Sequence, residues 1–336
     1  MSPVNASYLM PSTYCFLGHL VFRPSVYAPV VLIMLGCLVT LLVFHSPSNC
    51  FRSPRDTDPI QAVSVTQPAL DPLTRSEALR QYVRKACKAL DFKESKKQSV
   101  TLSHLIYDDT HRAIYCYIPK VSCTSWRRVL LKTTGNLPSE ENITSITRGQ
   151  VHSIPLPRLA SSKNPEEKLQ TYKKFMFVRH PFERVLSAFR DKMERPNELY
   201  DFHNMIGKKI EEHYRGTTEA EGHNVTFSEF IRYISEPGPG TAEQRNEHWL
   251  PMHKLCSPCS VEYDFIGRME NLEEDADYVL RWLGVRELVG GFPAASKPVN
   301  ASQHVAKYME QLTRAERLGF YAKYLPDFLL FDYKFL

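Results

Sequence analysis

The longest run of apolar positions lies near the start of the chain, where Val26 to Phe44 ("VYAPVVLIMLGCLVTLLVF") carries no charge. Its length matches the roughly 20 residues that a helix needs to cross a bilayer. It is apolar on every face, as a core helix seldom is. The apolar core of a cleaved signal peptide is usually shorter, and "FHSPSNCF" after this run makes a poor cleavage site. The pattern predicts a membrane-spanning signal-anchor over residues 26–44, preceded by a short tail over 1–25. From His45 to about Ser99, Pro, Ser, Thr and charged residues dominate, with no sustained apolar period before "SEALRQYVRKACKAL". This predicts a stem over 45–99 that ends in a short helix.

The body, 100–336, alternates between two periods. "AIYCYI" (Ala113 to Ile118) is a short β-rich run and predicts a buried strand. It is followed by "CTSWRRVLLKTT", with Trp126, Val129 and Leu130 at helical spacing. "KFMFV" (Lys174 to Val178) predicts a second strand. After it, Phe182, Val185, Leu186, Phe189 and Met193 form one stripe of an amphipathic helix. Strand, turn and helix repeated in order predict one α/β domain, a central parallel sheet flanked by crossover helices. "EEDADYVLRWLGV" and "AKYMEQLTRAERLGFYAKYLPDFLLFDY" predict a mainly helical second half. No internal repeat or heptad run is present.

Composition changes this picture little. The 336 residues are 43% hydrophobic and 24% charged, with a net charge of +5 that fits an anionic ligand without requiring one. Side of the membrane is better marked. Arg23 precedes the apolar run while Arg52 and Arg55 follow it, which by charge alone mildly favours a cytosolic body. Against this stand three glycosylation sequons downstream of the run, at Asn142, Asn224 and Asn300, and eight cysteines compatible with an oxidising compartment. These outweigh the charge bias and predict a luminal body. Cys256 and Cys259 form a lone CxxC without the two further ligands of a zinc site. A disulfide is expected instead, between these two or with Cys87, while Cys116 and Cys123 are expected reduced.

Two junctions carry candidate chemistry. In "YCYIPKVSCTSW" a strand turns into a helix whose first-turn N–H groups are a ready anion site. Pro119 presets the turn, the small residues Ser122, Cys123, Thr124 and Ser125 let a ligand approach the backbone, and Lys120 adds a point charge. In "FVRHPFERVLSAFRDK", Arg179 ends a strand, Pro181 opens a helix, and Ser187 follows close to two turns on. Arg184, Arg190 and Lys192 are expected to form a solvated basic face. No Walker A signature and no metal-ligand cluster appears in the sequence.

"YCYIPKVSCTSW", then "FVRHPFERVLSAFRDKM", "NEHW", "LCSPC" and "YDFIGRMENLEEDADYVL" together resemble the Golgi carbohydrate sulfotransferases. The likeness is to the branch with the chondroitin and dermatan 4-O-sulfotransferases and the HNK-1 sulfotransferase. It covers most of Leu102 to Tyr333 and implies a P-loop-NTPase-like fold, 3′-phosphoadenosine-5′-phosphosulfate (PAPS) as donor, and no metal. It implies that Pro119, Lys120, Val121, Ser122, Cys123, Thr124 and Ser125 form the 5′-phosphosulfate loop. Arg179, His180, Pro181, Phe182, Glu183, Arg184, Val185, Leu186 and Ser187 would form the 3′-phosphate segment, with Arg179 and Ser187 in direct contact. Many relatives carry Glu where this chain has His180.

Lys120 is expected to meet the charge that develops on the leaving oxygen. Transfer also needs a base of near-neutral pKa, which favours histidine. His152 in "GQVHSIPL" is one candidate, and His248 with Glu247 in "RNEHWLP" the other, with Trp249 able to stack on a sugar. Cys123 is read as a small loop residue rather than a nucleophile. Two basic clusters, Lys208, Lys209 and Arg215, and Arg80, Arg84, Lys85 and Lys88, either hold a polyanionic glycan or form solvated helix faces. The resulting expectation is a single-pass type II Golgi membrane enzyme that sulfates the 4-OH of N-acetylgalactosamine (GalNAc) in chondroitin or dermatan. Alternatives are terminal GalNAc of N-glycans, the 3-OH of glucuronate, or an inactive membrane-anchored glycan-binding protein. A luminal body excludes nucleic-acid partners, and the oligomeric state is left open.

Overall fold

The computed structural model describes residues 70–91, 99–138, 141–194, 201–236, 241–293 and 301–336. The apolar run 26–44 and Asn300 lie outside them. No helix among the described residues is long and apolar enough to cross a membrane.

One sheet organises these residues. Its strands are β1 (Leu105–Asp108), β2 (Ala113–Cys116), β3 (Lys173–Val178) and β4 (Phe265–Arg268), in that spatial order. β2, β3 and β4 run parallel, but β1 pairs antiparallel with β2, Leu105 opposite Cys116 and Asp108 opposite Ala113. The sheet is therefore mixed, not wholly parallel. A short turn, closed with Arg112 at φ 49°, folds β1 back on β2, and antiparallel neighbours need no crossover helix. β4 carries Gly267 opposite Phe177, where a Cβ would fall 2.4 Å from the phenyl ring.

Eight helices frame the site and its supports: α1 (Pro72–Ala89), α2 (Cys123–Thr133), α3 (Arg148–Ser153), α4 (Pro181–Lys192), α5 (Phe227–Ser235), α6 (Met252–Cys256), α7 (Leu272–Leu283) and α8 (Arg314–Leu330). α2 follows β2 and α4 follows β3, as the two junctions predict. Trp126, Val129 and Leu130 of α2 are buried, and the Trp126 ring packs 4.8 Å from Phe175 and 5.2 Å from Phe177 between centroids. The expected α4 stripe, Phe182, Val185, Leu186, Phe189 and Met193, is buried throughout. It enters a second aromatic cluster, with Phe182 edge-on to Phe227 and Phe320.

The structure bears on two further sequence expectations. α1, read as the end of a stem, belongs to the folded unit Gln67–Leu336. Its Ser76 hydroxyl accepts from the Ile266 amide of β4 at 2.8 Å, and Arg75 pairs with Asp275 at 2.7 Å. Of the two pairings expected for the CxxC, the one with Cys87 is present, since Cys259 bonds Cys87, while Cys256 bonds Cys116, which was expected reduced. Cys116 is thus oxidised, because α6 sets Cys256 directly against the end of β2. Cys123 is a free thiol, as expected.

Candidate functional site

The chain leaves β2 through Tyr117, Ile118 and Pro119 and enters α2 through a turn in which Lys120 (φ 71°) and Ser122 (φ 52°) are both left-handed. Residues with a Cβ avoid that region, at a cost of order 1–3 kcal/mol each. Without glycine the turn depends on its surroundings to hold it. Arg184 on α4 is 1% exposed and donates to the carbonyls of Pro119 (3.0 Å), Leu250 (2.8 Å) and Glu247 (2.9 Å). Arg179, at the end of β3, donates to the Lys120 carbonyl at 3.3 Å and pairs with Glu183 at 3.4 Å. The second junction is therefore packed against the first.

What the turn presents is a set of donors. Ser122 is the N-cap of α2, yet its side chain caps nothing, and its buried Oγ has no hydrogen-bond partner. The opening amides of α2 thus face an uncapped end beside an orphaned hydroxyl. This donor set fits an anionic oxygen group. Thr124 Oγ1 lies 3.0 Å from His152 Nε2 on α3. The Lys120 ammonium lies 3.1 Å from Asp191 Oδ2; Arg148 grips the same carboxylate with two bonds of 2.9 and 2.8 Å, and Lys192 lies 3.5 Å away. Burial pulls the Lys120 pKa down, opposed by Asp191. Burial would raise Asp191, but the Arg148 bonds and the charges of Lys120 and Lys192 hold it well below the usual carboxylate range.

On the other side of the turn, His104 Nδ1 lies 2.7 Å from the Tyr117 carbonyl, so that nitrogen carries a proton, and Nε2 is 3.5 Å from Glu247 Oε2. His248 Nδ1 meets Asn246 Oδ1 at 2.8 Å. Three histidines are therefore held neutral. Burial, then the charges of Arg127, Arg148 and Lys192, brings His152 to about 4. Burial, then Arg158 and Arg184, brings His104 to about 4. Burial, then Lys192, Lys120 and Arg184, brings His248 to about 2. Burial raises Glu247, against the pull of nearby arginines.

The structure brings Lys120, Ser122, Thr124, His152, Arg179 and the Glu247–His248 segment to one turn. It does not bring every expected residue there with its side chain. Pro181, Phe182, Val185 and Leu186 are core residues, and Ser187 is half-buried on α4. His180 packs edge-on to Phe328 and Tyr333 and contacts the Lys334 carbonyl at 3.0 Å. The basic face is not solvated: Arg184 and Lys192 are buried, because their charges are consumed by carbonyls and by Asp191, and Arg190 pairs with Glu194. Trp249 is 1% exposed, its Nε1 bonded to the Glu243 carbonyl at 2.9 Å, and cannot stack on a sugar. Lys209 pairs with Glu243, and Arg215 with Glu229 at 2.8 Å, so that cluster is largely neutralised. Arg84, Lys85 and Lys88 lie on the exposed face of α1.

His104, Arg148 and Asp191 were missed by sequence reading. For Asp191 the signal was present, since "FRDK" sets a lone acid among basic residues. The partners of His104 and Arg148 come from distant segments, which no local pattern shows.

Residues 103–334 match the family described as "Sulfotransferase family". Carbohydrate sulfotransferase 11 of Rattus norvegicus is 34% identical over 270 residues, covering 76% of this chain and 74% of its own. Carbohydrate sulfotransferase 14 of Mus musculus is 39% identical, covering 69% and 60%. Carbohydrate sulfotransferase 12 of Mus musculus is 33% identical, covering 77% and 67%. No solved structure matches.

Proposed function

The chain belongs to the sulfotransferase family, and from that premise we propose that it transfers sulfate from PAPS to a glycan hydroxyl, the 4-OH of GalNAc in chondroitin or dermatan. The relatives' names support a carbohydrate acceptor. The observation that carries the reading is the turn of Lys120 and Ser122, strained open toward an uncapped helix end and an orphaned hydroxyl.

PAPS supplies an activated sulfuryl group attached to a phosphate that leaves. Pro119 to Ser125 hold its 5′ end through the α2 amides and the Ser122 and Thr124 hydroxyls. Arg179 and Ser187 take the 3′-phosphate, while His180 to Leu186 give that contact its backbone frame. Lys120 sets an ammonium against the negative charge of the departing oxygen, where a fixed cation is most effective. His152, against Thr124, and His248, beside Glu247, are both unprotonated and so free to receive the acceptor's proton, though burial and nearby cations hold both below the near-neutral range expected of the base, His248 further than His152.

We read the protein as a single-pass type II Golgi enzyme, with tail 1–25, anchor 26–44 and a luminal body. Exposed sequons at Asn142 and Asn224 and two disulfides support the luminal side. The test is incubation of the luminal portion with radiolabelled PAPS and a panel of desulfated glycans, followed by disaccharide analysis of the product. 4-O-sulfated GalNAc is the expected product. Label on glucuronate or on terminal GalNAc alone would overturn the acceptor, and no label on any glycan would overturn the activity.

A further inference from the structure

Beyond the motif residues, one carboxylate organises the cations of the site. Asp191 lies at the end of α4 and receives Lys120 from the turn, both terminal nitrogens of Arg148 from α3, and Lys192 from its own helix. Three cations among the described residues thus gather round one carboxylate. Lys120 has little freedom to choose another position, since its side chain is 15% exposed.

We propose that Asp191 is a positioning residue for sulfuryl transfer: its carboxylate draws the Lys120 ammonium and the Arg148 guanidinium to one point and so fixes Lys120 beside the donor turn. The inference rests on the reading of Lys120 given above. The bidentate grip of Arg148 fixes the carboxylate itself, and the fixed carboxylate then fixes the lysine. An ammonium misplaced by about 1 Å forfeits on the order of 10²-fold in rate, which is why a second layer of support matters.

The charged and titratable groups that face Lys120 come from each packed element: Asp191 and Lys192 from α4, Arg148 from α3, Cys123 from α2, and His248 from the segment before α6. Of these, Asp191 favours the charged lysine and Arg148 disfavours it. The two partners of one salt bridge thus act on Lys120 with opposite sign, and a loss of kcat with donor-product affinity kept is what separates positioning from a purely structural role.

The experiment is competitive acylation of Lys120 across pH in the donor-free protein, read by peptide mass spectrometry for wild type, Asp191→Asn, Asp191→Glu and Arg148→Gln. Asp191→Asn is expected to lower the labelling midpoint by about one pH unit or more. Arg148→Gln is expected to raise it, and Asp191→Glu to restore most of the wild-type value. In parallel, Asp191→Asn is expected to cut kcat by about 10- to 100-fold, with calorimetric affinity for adenosine 3′,5′-bisphosphate kept within about threefold. Midpoints that stay put, or that move the same way in both variants, overturn the inference. If Asp191→Asn does not fold, Arg148→Gln decides by its sign alone: a rise supports the clamp and no change overturns it. A wild-type protein that neither binds the bisphosphate nor sulfates any glycan would overturn the reading of the preceding section instead, leaving the labelling result to stand or fall by itself.

Discussion

The two strand-to-helix junctions look alike in sequence and do opposite work in the fold. The first, Pro119 to Ser125, bends through two left-handed residues and leaves its helix uncapped. The second, Arg179 to Ser187, starts α4 with Pro181, keeps its backbone out of the left-handed region, and sends most of its side chains into the core. One junction is held in a costly shape, and the other supplies the holding, through Arg184 on Pro119 and Arg179 on Lys120. A ligand-facing loop can do without glycine when a rigid neighbour over-determines its backbone.

The comparison is tested most severely at Lys120. Lys120→Ala is expected to lower turnover by at least about 10³-fold with the melting temperature unchanged, as measured by radiolabelled sulfate transfer beside thermal unfolding. Near-normal turnover would remove the ligand-facing role of the first junction. Arg184→Leu is expected to act on the fold instead. Three carbonyls lose their donor, at roughly 1–3 kcal/mol each before relaxation, so a loss of about 3–5 kcal/mol is expected in chemical denaturation. A stable Arg184→Leu protein would show that the second junction does not hold the first.

A smaller effect is set by pH. His104 and His152 are held to about 4 in the fold, against an ordinary value of 6.5. The unfolded chain takes up their protons first, so their contribution is fully present above about pH 6.5 and declines as pH falls toward 4. The melting temperature is expected to fall between pH 7 and 5, and less steeply in His152→Gln. The smallest effect is expected at Ser122→Gly. Glycine accepts the left-handed turn without penalty, and stability should rise by up to about 1 kcal/mol in denaturant titration while kcat falls as the turn loosens. A glycine variant with unaltered kcat would mean that rigidity there serves no catalytic purpose.

Both junctions were legible in the sequence because each is a local event: a β-rich run, a proline, and an apolar stripe of helical period. The stripe from Phe182 to Met193 was legible for the same reason. β1 and β4 were not, since "LIYD" ends on a charge and "FIGR" holds a glycine and an arginine, so neither reads as a continuous β-rich run like "AIYCYI", and β1 reverses the sheet's direction through a turn with no glycine. At the site, Lys120 and Arg179 could be picked out because they sit at strand ends. The roles of Arg184, Lys192 and Trp249 could not, because burial depends on which distant segment arrives to cover them. Cys116 was misread on the same account, its partner lying 140 residues further along.

The divergent bonding of Cys256 and Cys259 bears on how this protein must be made. Two thiols three positions apart meet each other sooner than they meet partners 140 and 172 residues away. The short ring is thus the kinetically favoured mistake during synthesis, and its correction calls for thiol–disulfide exchange under oxidising conditions. Preparations from a reducing bacterial cytosol would leave β2 unfastened from α6, directly behind the Pro119–Ser125 turn, so expression under oxidising conditions is needed for judging any variant fairly.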